Sequence, residues 1–144
     1  MRGGYLNNIL NNRNDILTAI RDKACNYQEI ISTLESIKGL GLATITKILY
    51  FNKIKTDQGH FIPIIDHHVR ETMSLFDDFH EISLNQDIAS YIRTVSSAFS
   101  QFEKKDIQFD DLEFFMFRFG KFWQENMATY KHQCFTDFIK TIDK

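Results

Sequence analysis

Ile37-Lys38-Gly39-Leu40-Gly41-Leu42-Ala43-Thr44-Ile45-Thr46-Lys47-Ile48-Leu49 is the stretch that decides the fold. Ile30, Ile31, Leu34 and Ile37 before the glycines, and Leu42, Ile45 and Leu49 after them, recur at three- and four-residue spacing, the mark of two amphipathic helices. Between these helices, two glycines one residue apart permit the backbone angles of a tight turn. The turn feeds a helix N-terminus, where unpaired amides and the helix dipole attract an anion. Glycine also lets a phosphate approach without a Cβ in the way.

The flanking segments read as helices too. Asn14 or Asp15 caps a helix running to about Lys23 with Ile16, Leu17 and Ile20 on one face, and Asn26 caps the next. A polar loop holding Thr56, Asp57, Gln58 and Gly59 leads to Pro63. Asp66 then opens a helix that buries Val69, Met73 and Phe76. Asn85 is the expected cap of a helix with Ile88, Ile92, Val95 and Phe99 inward, ending near Lys104 and Lys105, charges suited to a C-terminus. Asp110 with Glu113 reads as an acidic capping box. Phe114, Phe115, Phe117, Phe119, Phe122 and Trp123, and further on Tyr130, Phe135 and Phe138, fill the closing helices. The expected fold class is all-α, a compact domain of about seven helices. Residues 1–144 are expected to form a single domain that buries roughly 70% of the surface its unfolded chain exposes.

Composition narrows the functional classes. Of 144 residues, 43% are hydrophobic and 25% charged, values of an ordinary globular protein rather than a disordered one. The longest apolar runs, at 62–65 and 114–117, fall far short of the ~20 residues of a membrane span, and the N-terminus lacks a charged-then-apolar leader. A cytoplasmic location and no membrane partner are therefore expected. Cys25 and Cys134 provide neither a zinc nor an iron–sulfur spacing, so no metal and no cofactor are expected. The net charge of −2 is poor for whole-surface attraction to phosphate. Residues 37–56, however, hold Lys38, Lys47, Lys53 and Lys55 with no acid, which concentrates positive charge on one segment.

Downstream stands Pro63-Ile64-Ile65-Asp66-His67-His68-Val69-Arg70. Together with the glycine turn it resembles the helix-hairpin-helix superfamily of DNA base-excision glycosylases, in particular the short proteins of the 8-oxoguanine-glycosylase fold. Matching positions are Pro63, Asp66, His68, Val69 and Arg70. Asp111-Leu112-Glu113 and Phe119-Gly120-Lys121 are similar to the closing helices of those short proteins. The resemblance implies double-stranded DNA as partner, bound through its phosphates by Lys38, Gly39, Leu40, Gly41, Ala43 and Thr44. His68 and Arg70 are implied phosphate contacts. It further implies that Asp66 faces an extruded nucleoside, because the base and C1′ are enclosed in the intact duplex. A fixed carboxylate there stabilises the positive charge that develops on the sugar as the base departs. A plainer account of Asp66, the N-cap of an amphipathic helix, fits the same residues, and both accounts hold together.

One departure from the pattern bears on mechanism. Members that also cut the strand carry a lysine two residues after the second hairpin glycine, where its amine attacks the sugar. This chain has Ala43 there. Lys47, one helical turn further on the same face, is the second catalytic candidate beside Asp66. A monofunctional, hydrolytic excision of a damaged base, with an oxidised purine as the implied lesion and a monomer as the acting species, is the resulting expectation. The alternatives are a non-catalytic DNA-binding module and a helical domain with no nucleic-acid partner. Asp66-His67-His68 also spells the signature of DHH phosphoesterases, but no strand pattern or further Asp-x-Asp accompanies it.

Overall fold

A computed structural model describes residues 7, 9–21, 26–75, 82, 86–103 and 107–126. Among the described residues, the main helices are α1 (Arg13–Arg21), α2 (Tyr27–Ser36), α3 (Leu42–Phe51), α4 (His67–Met73), α5 (Ile88–Glu103) and α6 (Phe109–Asn126), and residues 9–11 are helical too. Among the described residues, extended pairing is confined to one antiparallel bridge between Lys55 and Phe61, so the all-α expectation holds. Cys25, Phe76, Asn85, Lys104, Lys105, Tyr130, Cys134, Phe135 and Phe138 lie outside the described residues.

Local chemistry explains where the helices begin. Asn26 caps α2, its side chain accepting from the Glu29 amide while the Glu29 carboxylate accepts from the Asn26 amide, a reciprocal pair that satisfies two orphan donors. Asp87 accepts from the Ser90 amide at 2.9 Å and opens α5. The expected Asp110/Glu113 capping box does not form. α6 starts at Phe109, with the Leu112 amide donating to the Gln108 carbonyl at 3.1 Å, so both acids lie within the helix and are free to reach other elements. The polar loop after α3 is a small hairpin: the Thr56 amide donates to the His60 carbonyl, and Gly59 takes a φ of +82° that a side chain would resist. Arg93 of α5 grips its Asp57 through two hydrogen bonds of 2.8 Å.

The core draws on every helix. Ile31 and Leu34 of α2 meet Ile45 and Leu49 of α3, with Val69, Ile92, Val95, Phe99 and Met116 all fully or nearly fully buried. In α1, Ile16 and Ala19 point inward, while Leu17, expected on the same face, is exposed. Among the described residues, α4 and α6 make the most extensive helix–helix contact. Gly120 makes it possible: a Cβ there would stand 2.1 Å from the His68 carbonyl oxygen and 2.7 Å from Thr72 Oγ1. Thr72 Oγ1 adds a bond of 2.6 Å to the Met116 carbonyl across the same contact. This pairing sets α4, and hence the residue that caps it, against α6.

Candidate functional site

The glycine turn has the geometry that an anion site needs. Gly39 adopts a φ of +95°, in the region where L side chains are strained. Gly41 is extended and precedes α3 without any side-chain cap, and a Cβ built on it would meet nothing within 4 Å. The first-turn amides of α3 thus start beside an open, Cβ-free surface. Lys38 and Gly39 are exposed and Ala43 is half-buried. Thr44 is half-buried as well, and its amide is already spent on the Gly41 carbonyl at 2.9 Å. Leu40 is 8% exposed within the core and its amide donates to the Ile37 carbonyl, so its side chain anchors the turn.

The segment before Asp66 is clamped from two sides. Thr46 of α3, fully buried, accepts the Ile65 amide at 3.0 Å and donates to the Leu42 carbonyl at 3.0 Å. From α6, the Glu113 carboxyl group lies against the Ile64 amide, which favours its charged form. Ile62, Pro63 and Ile65 are buried around these bonds. Asp66 itself is half-buried and caps α4, with Oδ1 accepting the Val69 amide at 3.0 Å. Its backbone is therefore held on both sides, which leaves the carboxylate little freedom.

Asp66 and Lys47 open onto one cavity of about 530 Å³, which also takes Tyr50 from α3 and Asp110, Asp111, Glu113, Phe114 and Phe117 from α6. That volume is within the range of small-molecule sites. Burial pushes the Glu113 carboxyl group up to about 7, with the charges of Asp110 and Asp66 adding to the effect and the Ile64 amide opposing it. Its Oε2 is buried without a hydrogen-bond partner. Tyr50 donates its hydroxyl to Asp110 at 3.0 Å, and burial together with this bond pushes the phenol up to about 12. An adjoining hollow of about 490 Å³ shares Tyr50 and Asp110 but is otherwise lined by aromatic, aliphatic and lysine side chains, with Gln108.

The remaining sequence candidates lie apart from this cavity. His68 packs edge-on against Phe117, ring centres 5.2 Å apart, with Nδ1 buried. Arg70 is half-buried on α4 and acts electrostatically on Tyr91. Neither side chain is among the residues of the cavity wall. Thr46 and Glu113 are the residues that sequence reading missed. Asp110, Glu113, Phe114 and Phe117 share one face by helical periodicity, and that spacing was the available signal. Among the described residues, no group of three or more His, Cys, Asp or Glu side chains is disposed to hold a metal ion.

An all-helical chain in which a two-glycine turn launches a helix toward a capping aspartate has the build of a helix-hairpin-helix DNA-glycosylase fold. This chain belongs to the family described as "Putative 8-oxoguanine DNA glycosylase OGG-like protein", whose model matches residues 9–117. The matched region spans the hairpin, Asp66 and the cavity face of α6. No curated protein and no solved structure matches the chain. Among the described residues, no helix is long and apolar enough to cross a membrane.

Proposed function

We propose that this protein is a DNA glycosylase that binds duplex DNA through its phosphates, extrudes a damaged base and cleaves its N-glycosidic bond. The observation that carries this reading is the shared cavity of Asp66 and Lys47 beside the hairpin helix. Lys47 stands six positions beyond Gly41, roughly 9 Å at the ~1.5 Å rise of an α-helix. Successive base pairs stack about 3.4 Å apart, so one strand spans hairpin and cavity within a few nucleotides. A phosphate docks on the first-turn amides of α3, and the extruded sugar enters the cavity. Asp66, held rigidly by its cap and by the clamped backbone before it, meets the positive charge developing at C1′. Phe114 and Phe117 offer the base apolar surface to stack on. The family description points to an oxidised purine as the lesion.

Ala43 carries no amine, so a water molecule attacks C1′ and the excision is hydrolytic. Incubation with a panel of labelled duplexes bearing different lesions, followed by alkali to break abasic sites, tests the proposal. Strand breaks after alkali alone are the expected result. Salt-sensitive duplex binding without release from any lesion would instead mark a non-catalytic DNA-binding module. A second reading is favoured by one specific observation, the presence of Lys47 in the Asp66 cavity: its amine attacks C1′ and forms a Schiff base. Borohydride trapping of a protein–DNA adduct that Lys47→Ala abolishes would select that reading over hydrolysis.

A further inference from the structure

We infer that Glu113 is the general acid of base release, delivering a proton to the departing base within the cavity that Asp66 shares. The inference rests on the glycosylase reading above and adds a catalytic group to it. Four carboxylates line the cavity, and they are not equivalent. Asp66 commits Oδ1 to the Val69 amide, Asp110 commits Oδ1 to the Tyr50 hydroxyl, and Asp111 is exposed. Glu113 alone among them is half-buried with an oxygen, Oε2, that is enclosed and has no partner. An ionised carboxylate can only accept hydrogen bonds, so such an oxygen is unsatisfied in that form, whereas the protonated group carries a donor hydrogen on a side chain that lines the cavity. The Ile64 amide lies against the carboxyl group, and Phe114 and Phe117 add apolar wall beside the charged side chains.

Groups facing Glu113 in this cavity are Lys47 and Tyr50 from α3, Asp66 at the head of α4, and Asp110 and Asp111 on α6. Burial raises the Glu113 carboxyl group to about 7, so a proton is available at neutral pH while a neighbouring carboxylate supplies negative charge. Two acids held in contrasting environments divide the labour of acid and electrostatic stabiliser. As the bond from C1′ to the base nitrogen breaks, its electron pair passes to the base and the Glu113 proton moves onto the base, which leaves neutral. Water adds to C1′ and releases its proton to solvent, and Glu113 takes a proton back from solvent.

Single-turnover release of 8-oxoguanine from a labelled duplex between pH 5.5 and 8.5, for the wild type and for Glu113→Gln, tests this. Glutamine keeps an acceptor for the Ile64 amide and removes the proton. Duplex binding and thermal denaturation of both proteins establish that the variant folds and docks. The expected result is a wild-type rate that declines above about pH 7 and a variant that is roughly 100-fold slower at low pH with that decline gone. Equal rates and equal pH profiles would overturn the role of Glu113 while leaving the glycosylase reading intact. A wild type that binds the duplex but releases no base at any pH would overturn both.

Discussion

Asp66 is both a helix cap and the proposed stabiliser of the sugar cation, and two substitutions separate the roles. α4 has only seven residues, and Asp66 Oδ1 accepts the Val69 amide at 3.0 Å at its start. Asparagine caps a helix about as well as aspartate, so Asp66→Asn should change stability by no more than a few tenths of a kcal/mol, whereas Asp66→Ala should lose about 1 kcal/mol. Catalysis responds to charge rather than to capping. Removing a preorganised group that meets transition-state charge costs about 2.7–4 kcal/mol, or roughly 100- to 1000-fold in rate. Both variants should therefore lose base release to that extent, even though only the alanine variant is measurably less stable. Urea denaturation gives the first quantity and single-turnover release from a lesion duplex gives the second. Wild-type release by Asp66→Asn would refute the electrostatic role and leave Asp66 as a cap alone. So would losses of rate that merely track losses of stability.

Three further outcomes follow from the packing and the ionisation of the site. Gly120→Ala places a Cβ 2.1 Å from the His68 carbonyl oxygen, backbone that cannot rotate away, and should destabilise by about 3 kcal/mol, the upper end of ordinary overpacking; a melting temperature within a degree of wild type would contradict this contact. Thr46→Val removes the acceptor of the buried Ile65 amide and should cost about 1–3 kcal/mol, with Thr46→Ser recovering most of the loss in the same denaturation assay. Glu113, raised from 4.5 to about 7, keeps its proton in the folded protein after the unfolded chain has released it. Its contribution to stability therefore falls as pH rises from about 4.5 to about 7 and stays low above that. Glu113→Gln should accordingly gain on the wild type between pH 5 and pH 8 in urea titrations, and a constant difference across that range would show that no such proton is held.

Interactions between near neighbours in the chain were legible before the fold was known. Asn26 caps α2 as expected, with Glu29 completing a box only the structure shows, and Asp66 caps α4 three residues before its partner amide. The two glycines do turn the chain between α2 and α3, although only Gly39 needs its left-handed conformation while Gly41 serves by leaving its surface open. Where sequence reading erred, it assigned a local partner to a side chain that finds a distant one. Asp110 and Glu113 have the spacing of a capping box, yet α6 begins at Phe109. Asp110 instead meets Tyr50 and Glu113 meets Ile64. Leu40 sits between the two glycines, and its side chain belongs to the core.

The amino-acid order by itself determined the helical segments, the Asn26 and Asp66 caps and the glycine turn, because each depends on hydrogen bonds or hydrophobic spacing within about one helical turn. Packing decided the site. Gly120 lets α4 and α6 close on one another, and Thr46 holds the backbone ahead of Asp66 while Glu113 lies against it. Only then do Lys47 and Glu113 come to share a cavity with that aspartate. No local rule encodes such a meeting, since burial and the field of other carboxylates act through space on groups far apart in the chain.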